Sequence, residues 1–265
     1  MREQIRKQWD LDFLSCDDFF DHVENTLRKI YSKQNIANLK QFNKSILDPT
    51  KMIFDAFTNE FDKKELINAE SYRQVDKGVS NDIGYFHQNL FQYIEGWTVP
   101  DAGFDIENEE LHIYAEMKNK HNTMNSSSSQ KTYMKLQQKI LEDSSATTYL
   151  VEVIAKKSQD ISWRCSVDGK VYNHEKIRRI SIDQFYNLVT GQENSFKKIC
   201  EWLPIVILAL NIEIAREDNT EKIISELEQI DRNFLDSIFK ITYPTYLSFE
   251  NLDIKMSEHI PEKFK

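Results

Sequence analysis

The chain of 265 residues carries 34 basic and 43 acidic side chains, a net charge of −9, with 40% hydrophobic and 12% aromatic content. That apolar supply suffices for a buried core and excludes a disordered chain, while the acidic balance argues against a protein that coats nucleic acid indiscriminately. The longest apolar run, residues 203–210, is far below the roughly 20 residues that span a bilayer, no secretory signal opens the chain, and Cys16, Cys165 and Cys200 form no CxxC pair, so a cytoplasmic location is expected.

All six glycines lie between Gly78 and Gly191, which predicts tight turns in the centre and a helical region over 1–77 that packs with the core. Phe19, Phe20, Val23, Leu27, Ile30 and Tyr31 form a helical stripe over 17–33, and Met52, Ile53, Phe57, Phe61 and Leu66 continue less regularly over 50–68. Ser80 reads as the N-cap of a helix over 81–95 that Gly96 ends, and Pro100 blocks any continuation. Residues 103–106 and 111–118 then read as two strands joined across the acidic segment 107–110. In the second strand, alternation puts Leu111, Ile113, Ala115 and Met117 on one face and His112, Tyr114, Glu116 and Lys118 on the other.

A loop through 121–129 leads to a predicted helix over 130–141 and a strand over 147–155, giving a strand–helix–strand unit with a parallel pair. Further strands are expected over 161–167 and 177–182, with a turn at Asp168 and Gly169. Helices follow over 195–213, interrupted near Pro204, and over 220–239. The fold class is therefore α/β: a central mixed β-sheet flanked by helices. Residues 78–190 form its core, 191–265 a helical C-terminal region, and the whole one compact unit.

A hairpin of 103–118 brings Asp105 beside Glu116, so two carboxylates and Lys118 converge. Mg²⁺ is a hard cation that takes carboxylate oxygens and keeps several waters, so Asp105 and Glu116 suit it as metal ligands while a DNA phosphate completes the shell. Lys118 adds positive charge where the transition state of phosphodiester hydrolysis develops negative charge. The Glu-x-Lys triplet alone is uninformative, because chance supplies several in a chain this charged, and a surface salt bridge is the bland reading. Its setting adds weight. Between Met117 and Leu141 stand five lysines, Lys118, Lys120, Lys131, Lys135 and Lys139, and no acid. A basic flank beside a candidate site in an acidic shell fits a DNA cleft.

Candidate DNA contacts are His87 and Gln88 on the preceding helix, Asn119, Lys120, His121, Asn122 and Asn125 after the catalytic strand, and Ser127, Lys131 and Lys135 at and beyond the helix start. Ordinary capping, loop or surface roles carry equal weight for several of these. The later basic segment holds Arg164, Lys176, Arg178 and Arg179, which include arginines able to read guanine. No zinc-ligand spacing is present.

The stretch Asp105 to Lys118 resembles the PD-(D/E)xK nuclease motif. Gly84-Tyr85-Phe86-His87-Gln88, Gly103-Phe104-Asp105-Ile106 and Glu116-Met117-Lys118-Asn119-Lys120-His121-Asn122-Thr123-Met124-Asn125 look like type II restriction endonucleases of the group that recognises GGNCC. The likeness covers mainly residues 80–140. It implies a restriction-endonuclease-like core, an Mg²⁺ cofactor and catalytic roles for Asp105, Glu116 and Lys118. The motif's Pro-Asp stands as Pro100-Asp101, fifteen residues before Glu116, so Asp101 remains the rival of Asp105.

A restriction enzyme cutting a short palindrome implies a two-fold homodimer on double-stranded DNA and a cognate methyltransferase that protects the host. The competing readings are a structure-selective repair or junction nuclease of the same fold and a non-catalytic DNA-binding protein whose carboxylates only form ion pairs.

Overall fold

A computed structural model of the chain describes residues 1–34, 36–121, 124–212, 218–231 and 233–245. In chain order the helices α1 (Arg2–Gln8), α2 (Cys16–Lys33), α3 (Leu39–Phe42), α4 (Pro49–Thr58) and α5 (Lys63–Asn89) come first. Then follow β1 (Ile106–Asn108), β2 (Ile113–Lys120), α6 (Ser126–Glu142), β3 (Thr147–Ile154), β4 (Asp160–Ser162), β5 (Cys165–Val167), β6 (Lys170–Tyr172) and β7 (Ile177–Ser181). Helices α7 (Ile182–Thr190), α8 (Ser195–Leu210), α9 (Thr220–Glu228) and α10 (Phe234–Thr242) complete the described elements.

Residues divide into two compact units, one of Met1–Leu27 with Asp82–Ile212, the other of Arg28–Asn81 with the described residues after Ile212. The first holds a five-stranded sheet of order β1-β2-β3-β7-β4. β2, β3 and β7 run parallel, and β1 and β4 close the two edges antiparallel. This is the mixed sheet flanked by helices that the alternation pattern predicts. One face of the sheet, with Ala115, Met117, Tyr149, Val151 and Ile180, packs with Phe86, Phe91, Phe185 and Tyr186 from α5, the turn after it and α7. On the opposite face, Leu150 and Ile177 pack with Tyr133 and Leu136 of α6. The second unit has its own core, in which Phe42, Met52, Leu66 and Ile67 meet Ile223, Leu227, Phe234 and Ile238.

Several boundaries differ from the sequence expectation for local reasons. Helix α5 runs unbroken through Ser80, because Gly78 and Gly84 keep negative φ and cost only about 1 kcal/mol each in helix propensity. It ends in a short 3-10 turn over Leu90–Tyr93, and Gly96 at φ 81 then reverses the chain. β2 begins at Ile113, since His112 adopts φ 52 and its imidazole pairs with Asp143 at 2.7 Å.

The serine tract is not a loop but the first turn of α6, with Asn125 as N-cap: its Oδ1 accepts the Ser128 N–H at 2.8 Å. The expected strand over 161–167 is divided between the main sheet and a separate β5–β6 ribbon, turned by Asp168 and Gly169 in left-handed conformations. α8 passes through Pro204, which is exposed and removes a single helical hydrogen bond. The helix expected over 220–239 breaks into α9 and α10, where the Asp231 and Asn233 side chains accept backbone N–H groups of Asn233 and Leu235.

Candidate active site

The β1–β2 hairpin builds the site. Its register pairs Ile106 with Ala115, which sets Asp105, the residue before β1, across from Glu116. Asp105 Oδ2 accepts the Met117 backbone N–H at 2.7 Å, and the Gln88 amide on α5 donates to the Asp105 carbonyl at 3.2 Å. Both ends of Asp105 are thus held. Lys118 shares the Glu116 face of β2, and its Nζ lies 3.9 Å from Asp105 Oδ2 and 3.8 Å from Glu116 Oε2. The same ammonium donates to the Met117 carbonyl at 2.9 Å.

Glu116 is 8% exposed. Burial, then the negative charge of Asp105, pushes its carboxyl above the ordinary value, against the opposing pull of Lys135 and Lys118. Lys135 reaches down from α6 to pair with Glu116 Oε1 and also donates to the Gly103 carbonyl. Its ammonium sits 4.8 Å from the centre of the Phe104 ring. Asp101 is exposed, and with Gln88 and Asp105 it lines a polar cavity of about 440 Å³.

On the same face of the sheet, Glu152 of β3 stands in register with Lys118 and is 1% exposed. Arg179 of β7 pairs with Glu152 Oε1, donates to the His121 carbonyl at 3.2 Å and meets His121 Nδ1 at 3.0 Å. Glu152 Oε2 and Arg179 Nε are buried with no hydrogen-bond partner. The sign of this pair in the sequence is an acid, Glu152, inside the otherwise apolar strand Thr147–Ile154. Arg178, read with Arg179 as a base-reading candidate, is tied to Asp160 at 2.6 Å.

The remaining candidates are dispersed. Asn119 is half-buried on the opposite face of β2, Lys120 is exposed at its end, Ser127 and Lys131 are exposed on α6, and Asn125 is engaged as the helix cap. Asn122 lies outside the described residues. Gln88 reaches the site through the Asp105 backbone, whereas the neighbouring His87 ring lies against Phe86 and Phe196, with centroids 5.3 and 6.1 Å apart.

Its Nδ1 is buried without a hydrogen-bond partner, and burial, then the charge of His22, pushes its pKa down to about 4. The unfolded chain binds a proton near pH 6.5 that the folded chain refuses, so this contribution to stability is complete above 6.5 and is lost as the pH falls toward 4. The loss approaches roughly 3 kcal/mol. Urea denaturation of native and His87→Phe protein at pH 7.5 and 4.5 checks it: the native chain should lose more stability than the variant, and equal losses would count against the assignment.

The donor set fits a hard cation. Two carboxylates whose oxygens both lie within 4 Å of one ammonium position offer oxygen ligands to a common point. Among the described residues no group of three or more His, Cys, Asp or Glu side chains is arranged to hold a metal ion. Asp105 and Glu116 match a hard cation such as Mg²⁺, which takes one or two carboxylates and keeps several of its waters. Among the described residues no helix is long and apolar enough to cross a membrane.

Comparison with known proteins adds the class. The model of the Eco47II restriction endonuclease family matches residues 11–211. The chain is 29% identical to the type II restriction enzyme Sau96I of Staphylococcus aureus over 256 residues, 90% of this chain and 98% of that enzyme. It is 30% identical to the type II restriction enzyme Eco47II of Escherichia coli over 210 residues, 74% of this chain and 86% of that enzyme. A likeness of this extent, carried by a helix-flanked mixed sheet, defines a type II restriction enzyme, a site-specific deoxyribonuclease. The chain belongs to the Eco47II restriction endonuclease family.

Proposed function

We propose that Asp105, Glu116 and Lys118 form a PD-(D/E)xK active site that makes a double-strand break in unmethylated DNA by Mg²⁺-dependent phosphodiester hydrolysis. The observation that carries this reading is the common position of two carboxylates around the Lys118 ammonium, at 3.9 and 3.8 Å. Asp105 and Glu116 are the residues that would hold Mg²⁺, and the ion, when bound, supplies Lewis-acid polarisation of the scissile phosphate and activation of water.

The chain's own groups do the rest. The Met117 N–H and the Gln88 amide fix Asp105, so its carboxylate loses little freedom on binding a ligand. Partial burial of Glu116 weakens competition by bulk water for its oxygens. Lys118, anchored on the rigid strand, presents fixed positive charge to the pentacovalent phosphorane, where two negative charges build up in the transition state. Lys131 and the start of α6 are exposed and available for phosphate contacts.

The resemblance adds GGNCC as the recognition sequence. A near-palindromic site of this kind calls for a homodimer with one active site per strand, and for a methyltransferase of the same specificity in the host. Incubation of unmethylated plasmid with the full chain, in Mg²⁺ and in EDTA, tests the proposal. Discrete fragments in Mg²⁺ alone are expected. Intact plasmid, or a smear without preferred sizes, would refute sequence-specific cleavage.

A further inference from the structure

We infer that Lys135 is a displaceable counter-ion: its ammonium holds Glu116 in the metal-free protein and must leave that carboxylate when a divalent cation binds. The inference rests on the proposed reading of Asp105 and Glu116 as metal ligands. Lys135 is bonded to Glu116 Oε1, while the Lys118 ammonium stands 3.8 Å from Oε2, beyond hydrogen-bond distance. A cation that takes Glu116 through Oε1, or through both oxygens, therefore meets the Lys135 ammonium and has to displace it.

Formal charge points the same way. Asp105 and Glu116 carry two negative charges, and Lys118 and Lys135 carry two positive ones, so the local set is neutral before any metal arrives. Adding a divalent ion to a largely buried carboxylate with both lysines in place would create an excess of like charge at short range.

The two lysines differ in freedom. Lys118 belongs to the central part of β2 and has Asp105, Glu116 and the Met117 carbonyl around its ammonium. Lys135 reaches the site on a long flexible stem from a separate helix, and its side chain is 39% exposed. It also has places to go: the Gly103 carbonyl and the face of Phe104 are already beside it. An ammonium released from Glu116 but retained by these neighbours sits next to the metal position, where a DNA phosphate would accept it. Metal binding thereby frees a phosphate ligand, and the two binding events become linked.

Competition sets the sign of the test. As long as Lys135 occupies Glu116, apparent metal affinity is lowered by the strength of that pair, so its removal should tighten metal binding. Mn²⁺ titration of the full chain without DNA, read by the electron paramagnetic resonance of free Mn²⁺ at pH 8, measures this directly. Lys135→Met should bind Mn²⁺ about three- to tenfold more tightly than the native chain, the range expected for loss of a partly exposed ion pair.

Lys135→Arg, which keeps the charge and the pair, should stay near native affinity, and Glu116→Gln should lose binding. Unchanged or weaker Mn²⁺ binding by Lys135→Met, with Glu116→Gln inactive in binding, overturns the counter-ion role and leaves the metal site standing. Native Mn²⁺ affinity in Glu116→Gln overturns the metal site itself, and this inference with it.

Discussion

Replacing Lys118 by Met should slow DNA cleavage about 10²- to 10³-fold, the cost of removing one fixed charge aimed at a developing oxyanion. DNA affinity should change little, because duplex binding sums many phosphate contacts and Lys118 supplies at most one of them. Methionine matches the lysine stem in length and keeps the packing on β2, so the change isolates the ammonium. Asp105 and Glu116 would remain, with Lys135 still able to neutralise Glu116. The pattern expected under single-turnover conditions is therefore a lowered cleavage rate with a nearly native dissociation constant. A variant that cuts at the native rate would remove Lys118 from the chemistry, and one that loses binding and cleavage together would assign it to holding DNA.

The largest expected effect on stability lies one strand over. Arg179→Ala strips the partner from Glu152, a carboxylate 1% exposed that already has one oxygen without a hydrogen bond. A buried charge left alone in this way typically costs about 3–5 kcal/mol. Replacing both residues at once, as Glu152→Met with Arg179→Met, should recover most of that loss, since no charge then remains to be desolvated. Urea denaturation of the native chain and the two variants measures the difference. A double variant as unstable as Arg179→Ala would mean that the strand contacts, and not the stranded charge, carry the effect. The pair also ties the end of β2 to β7, because Arg179 donates to the His121 carbonyl, so the single variant should loosen the end of β2.

The parts of this protein legible in its sequence are those with a short repeat. Alternation over 111–118 is enough to place Glu116 and Lys118 on one face, but the strand expected over 103–106 lies at Ile106–Asn108, so Glu107 and Asn108 pair in the sheet instead of turning and Asp105 stands just before the strand, opposite Glu116. The β2–α6–β3 unit follows from the same patterns. Legibility ends where tertiary packing overrides local preference. Ser80 looks like a cap, yet the helix passes it, because its partners on either side bury Leu66, Ile67, Phe86 and Leu90. The four serines after Asn125 look like a linker, yet Asn125 caps them into a helix.

The site was less legible than the strand that carries it. In sequence Lys135 is a candidate DNA contact in an acid-free run, and nothing in the spacing of Glu116 and Lys135 states that they pair. That contact depends on how α6 lies across the sheet through Tyr133 and Leu136. Glu152 and Arg179 are 27 residues apart in sequence and meet only because β3 and β7 are parallel neighbours. A guanidinium that looks free to read a base in sequence is thereby committed within the fold.

Asp105, and not Asp101, is the carboxylate proposed to complete the site with Glu116. Single-turnover cleavage of one duplex in Mg²⁺ by Asp105→Asn and Asp101→Asn, beside the native chain, bears on it most directly. The hydrogen bond from Met117 to Asp105 and the exposed position of Asp101 lead to one expectation: Asp105→Asn loses cleavage by at least about 10²-fold, while Asp101→Asn stays close to native. Retained cleavage by Asp105→Asn together with its loss in Asp101→Asn would assign the metal-binding role to Asp101 instead.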